Sequence, residues 1–159
     1  MKIAAHFLIN EHGKIFKGAV LNVACNKLIG ITEMGNQIQE LAQMAFYSGV
    51  IIPSFPDLSI HWNTLEIQKK SPEAPYWLKT MPSCYHRHVY TAWISNLQAS
   101  DAHFNLAQAV NIFCVALPKL LKLEESAFLP DYPVEAWLVS GIDYHSFRIK
   151  KESKFRKLI

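Results

Sequence analysis

The order of apolar and polar positions gives the chain two unlike halves, short strands first and one long apolar segment later. Lys2 to Ile9 is apolar except at His6. The Glu11-His12-Gly13-Lys14 run after it supplies a turn with a glycine free to take positive φ, which predicts a hairpin. Ile15, Ala19, Leu21 and Val23 fall on one alternating face of a second strand, and Asn26-Lys27 reverses the chain into a third strand, Leu28 to Ile31. Ile38, Leu41, Ala42 and Ala45 recur at intervals of three and four, so Gln37 to Ala45 is expected to turn helically. Tyr47 to Phe55 returns to strand character, its apolar run Val50-Ile51-Ile52 stopped by Pro53.

Three prolines make Ser71 to Pro82 a loop, and Cys84 to Ile94 has strand-like residue types with mixed polarity. A short polar side chain at Ser100 or Asp101 is expected to cap a helix running to about Leu123. From Ala109 onward that helix is apolar nearly all round, which predicts burial between elements or in an oligomer contact, and Pro118 is expected to kink or divide it. Val134 to Val139 reads as a buried strand, Gly141-Ile142-Asp143 as a turn and Phe155 to Ile159 as a final strand.

Composition narrows the class. With 159 residues the chain fits one domain, and 50% hydrophobic against 18% charged residues excludes general disorder. The net charge of +3 resides in the tail, where Arg148, Lys150, Lys151, Lys154, Arg156 and Lys157 face only Glu152, so no basic face for nucleic acid is expected. Those lysines read as guards on an edge strand. Cys25, Cys84 and Cys114 are too few and too scattered for a disulfide framework, which points to the cytoplasm. Met1 to Ile9 lacks the parts of a signal peptide, and the longest apolar run, Ile112 to Leu117, falls far below the roughly 20 residues of a membrane span.

The run Tyr47-Ser48-Gly49-Val50-Ile51-Ile52-Pro53-Ser54-Phe55-Pro56-Asp57-Leu58-Ser59-Ile60-His61 resembles the entry to the barrel in the amidohydrolase superfamily: a glycine, an apolar strand, then Pro-Gly-Phe-x-Asp/Asn-x-His-x-His. The meander from Ile3 to Ile31 is similar to the strands that open that family's non-barrel β-domain. Trp137 to Asp143 and Lys154 to Ile159 look like the strands that return to complete it. The resemblance implies a β-domain made by both ends of the chain, with a metal-bearing (β/α)8 barrel between them. A barrel takes about 250 residues, and the stretch from Asn63 to Asp131 is far too short. Ser59 stands where the motif has its first histidine, Ser54 where it has glycine, and Pro56 where a β-branched residue is usual. Only His61 survives of the histidine pair that, in the family, helps bind a catalytic divalent ion.

One other cluster has ligand types at close spacing. On a strand, Cys84, His86 and His88 would share a face, and with His61 they would offer four ligands to a zinc ion. Against this, His-x-His recurs easily in a chain with seven histidines, and a solvated strand is the simpler reading. Asp57 is expected to cap or hold a turn beside Pro56, and His103 to sit on the exposed side of a helix. Tyr76, Trp77, Tyr85, Tyr90 and Trp93 would line a groove or, more simply, pack.

These readings give an α+β protein of one domain over 1–159. Residues 1–61 and 134–159 are expected to form a small β-sandwich, and 62–133 an insertion with a helix at about 101–123 in place of the barrel. The function that follows is a non-catalytic, amidohydrolase-related binding or scaffold module, a pseudoenzyme acting as a homodimer or with a protein partner. It needs no cofactor and contacts neither membrane nor nucleic acid. Two alternatives stay open: a small metal-dependent hydrolase using His61, Cys84, His86 and His88, and a subunit that completes another chain's active site.

Overall fold

The structure is a computed structural model describing residues 1–35, 43–82, 87–124 and 127–159, with 87–89 described by backbone alone. Among the described residues seven strands form one open sheet. Strand β1 (Lys2–Ile9) lies inside it, flanked on one side by β2 (Ile15–Lys17) and β3 (Ala19–Ala24) and on the other by β5 (Met44–Pro53). The full order is β4-β3-β1-β5-β6-β7, with β4 (Lys27–Glu33) at one edge and β6 (Ala136–Ser140) and β7 (Lys154–Lys157) at the other. Only β1 and β5 run parallel; the other pairs are antiparallel.

The meander follows the expected order with one correction. Gly18 takes φ 62° and donates its N–H to His6 O, which splits the expected second strand into β2 and β3 and changes the facing of its residues. Ile15 is therefore exposed, while Ala19, Leu21 and Val23 are buried. Of the helical turns expected over Gln37 to Ala45, residues 37–42 lie outside the described residues. Ala45 belongs to β5, opposite Ile3, where the ladder to β1 decides the conformation.

Strand β5 joins the two ends of the chain. Val50, Ile51, Ile52 and Pro53 pair with Val139, Leu138, Trp137 and Ala136 of β6. The α+β class is observed and the two ends share a sheet, but the second layer is helical where a sandwich of two sheets was expected. The insertion supplies that layer: α1 (Trp62–Lys69), α2 (Tyr76–Lys79), α3 (Arg87–Ser100), α4 (Leu106–Asn111) and α5 (Leu117–Leu121). Leu65, Leu78, Trp93, Ile94, Val110 and Leu117 from these helices join Ile9, Val50, Ile52 and Val139 in one buried cluster. On the opposite face Ile3, Leu8, Leu21, Ile51 and Leu138 are covered by Phe128 and Val134.

Three elements differ from the sequence reading. Where Cys84 to Ile94 looked strand-like, the described residues from Arg87 onward form α3, because Tyr90, Trp93, Ile94 and Leu97 recur at helical spacing and three of them enter the core. In the expected loop, Pro75 in extended conformation starts the single turn of α2. The long helix starts at Leu106: Asn105 accepts from Gln108 N, and the Gln108 side chain accepts from Asn105 N. Ahead of Pro118 the helix widens into a π-helical segment, Ile112–Ala116, which separates α4 from α5. A proline offers no N–H and crowds the carbonyl four residues back, and the wider turn relieves that crowding. No helix among the described residues is long and apolar enough to cross a membrane.

Candidate functional site

Strand β5 ends in a corner, Ser54 to His61, in which Ser54, Phe55, Asp57 and Leu58 are committed to packing and turns. Ser54 Oγ accepts from Trp137 Nε1 at 3.0 Å, tying the corner to β6. The Phe55 ring lies 4.7 Å from Phe113 and 5.1 Å from Tyr90, and Phe113 in turn meets Tyr90 at 4.5 Å and Trp93 at 5.1 Å. Asp57 Oδ1 accepts the Ser59 N–H at 2.9 Å, so Asp57 holds a turn as expected, and that bond draws its carboxyl below the usual carboxylate range. Leu58 is fully buried, and His61 N donates to Leu58 O at 2.9 Å, closing a 3₁₀ turn over Ser59–His61 that leads into α1.

The four candidate metal ligands are distributed as follows. His61 is half-buried at the end of that 3₁₀ turn. Cys84 and His86 lie outside the described residues. His88 falls in α3, so from Arg87 onward the strand on which the three were to share a face is a helix, where positions two apart diverge. Among the described residues no group of three His, Cys, Asp or Glu side chains converges as ligands. Burial pushes the Cys114 thiol up, which disfavours the thiolate a nucleophile or metal ligand needs. Burial also pushes the Tyr90 hydroxyl up, with the Asp57 carboxylate adding to the effect. His103 is exposed as expected, but it precedes the helix, in the turn held by Asp101.

The aromatic set divides. Trp93 packs into the core and Tyr90, partly buried, against it, Tyr85 lies outside the described residues, and Tyr76 and Trp77 line a cleft of about 470 Å³. This cleft opens between the β1–β2 turn, α2 and the junction of α3 with α4, and it brings together His12, Trp77, Leu97, Asp101, Phe104 and Asn111. Gly13 adopts φ 77° there, and a Cβ on it would stand 2.7 Å from Ala107 O, so glycine is what lets the turn approach α4 this closely. A second hollow of about 570 Å³ lies beside the corner, lined by Asp57, Glu124, Leu129, Tyr132 and Glu135 among others. Sequence reasoning gave Asp101 a capping role and passed over Phe104 and Asn111. No local signal marks them as cleft residues, because the cleft exists only once separated segments meet. No family model, curated protein or solved structure matches the chain.

Proposed function

We propose that this chain is a non-catalytic binding module built on an amidohydrolase-related β-unit, with a helical layer in place of the barrel. The observation that carries the reading is the aromatic packing of Phe55, Tyr90, Phe113 and Trp93 at the end of β5, the end from which the resemblance would have a metal-bearing barrel begin. Ser54 and Asp57 support it, since one serves the indole of Trp137 and the other a turn. Binding falls to the aromatic cleft on the helical side, whose volume and mixed lining suit a small molecule.

Assays of ester, amide and phosphoester substrates with added zinc, manganese or nickel test this reading. The expected rate equals that of buffer, and metal-dependent turnover abolished in His61→Ala contradicts it. The same reading takes the module to be a homodimer, supported by Ile60 and Ile67, which are 86% and 70% exposed. Gel filtration is expected to give twice the 18.1 kDa chain mass, and elution at the single-chain mass contradicts this.

A further inference from the structure

The cleft between the β1–β2 turn, α2 and the α3–α4 junction combines three features. Its volume of about 470 Å³ falls within the roughly 300–1,000 Å³ of small-molecule sites. Its floor is apolar, with Leu97, Phe104 and Ile112 each less than a tenth exposed. One wall is aromatic, formed by Tyr76, itself 58% exposed, and Trp77.

Charge on the rim selects the ligand. Asp101 contributes a carboxylate, and no lysine or arginine lines the cleft among the described residues. The Asp101 carboxylate is oriented, because its Oδ1 accepts the His103 N–H at 2.9 Å. The faces of Tyr76 and Trp77 carry the negative side of the aromatic quadrupole, which attracts a cation beside them. An anion would meet the Asp101 charge with no lysine or arginine of the lining to offset it.

From this geometry we infer that the cleft takes a small organic monocation with a flat apolar body, its ring against Trp77 and the apolar floor and its ammonium at Asp101. The inference rests on the binding-module reading and names the ligand class of that site.

Isothermal titration with tryptamine and with indole-3-propionate, two probes of like body and opposite charge, tests it. Tryptamine is expected to bind at least about tenfold more tightly, as a charge-assisted contact requires. In Asp101→Asn that preference falls by about tenfold, while Trp77→Ala weakens both probes. Asparagine keeps an oxygen for the His103 N–H, and an unchanged melting temperature checks that the variant is folded. Equal affinity for the two probes, a preference retained in Asp101→Asn, or no binding of either at millimolar concentration overturns the inference. Failure of the non-catalytic reading shows separately, as metal-dependent turnover, and leaves these titrations unaffected.

Discussion

Gly49 illustrates how a residue carries a constraint that its neighbours in sequence do not reveal. It adopts φ 152° in β5, where Tyr47 pairs with Ala5 and Val50 with Phe7, leaving Ser48 and Gly49 opposite His6 alone as a bulge. A Cβ here would lie 2.6 Å from Val139 O and 2.8 Å from Leu138 Cδ1. Gly49→Ala is therefore expected to destabilise the fold by on the order of 1–3 kcal/mol, whereas Gly30→Ala, with nothing within 4 Å of its would-be Cβ, changes stability by less than about 1 kcal/mol. Urea unfolding of both variants checks the contrast, and equal midpoints would contradict it. The sequence marks Gly49 as the start of an apolar run. The reason for glycine lies on β6, far along the chain. Asp57 is the opposite case: its turn depends on Ser59, two residues away, and was legible for that reason.

At the scale of elements, β1 was legible as an apolar run, which suits a strand covered on both faces, and the reading of a single second strand failed where Gly18 interrupts the ladder. The helices were harder. In α3 the β-branched and aromatic residues favoured a strand by type, while their spacing favoured a helix, and packing against the sheet sided with the spacing. The start of α4 was written in the sequence as Asn105-x-x-Gln108, a capping box, but Ser100 and Asp101 offered a competing signal. In the structure Ser100 Oγ donates back to Asn96 O and Leu97 O inside α3, and Asp101 N bonds to Leu97 O, so these two close the earlier helix. Asn105→Ala is expected to cost about 1 kcal/mol, measured by thermal unfolding, and Asp101→Ala less. The reverse ranking would return the cap to Asp101. Pro118 divides its helix as expected, and the buried residues Val110, Phe113, Cys114 and Leu117 show that the all-round apolar character is met within the chain.

For the whole molecule, the pairing of β5 with β6 joins the ends of the chain, and helices on one face supply the cover that a second sheet was expected to give. One sequence feature anticipated a molecular edge. The basic residues Lys154, Arg156 and Lys157 stand exposed on the edge strand β7, with Lys157 Nζ 3.2 Å from Glu135 and Arg156 over the Tyr47 ring at 5.4 Å, as a guarded edge requires. The aromatic cleft was only half legible, through Tyr76 and Trp77. Its acid and its floor come from turns and helices that the linear pattern does not bring together. The central claim is that the end of β5 is packed with side chains and holds no catalytic ion, and the metal content of the chain purified without an affinity tag tests it most directly. The account predicts far less than one zinc or other divalent ion per chain. A stoichiometric ion that is lost in His61→Ala would contradict it.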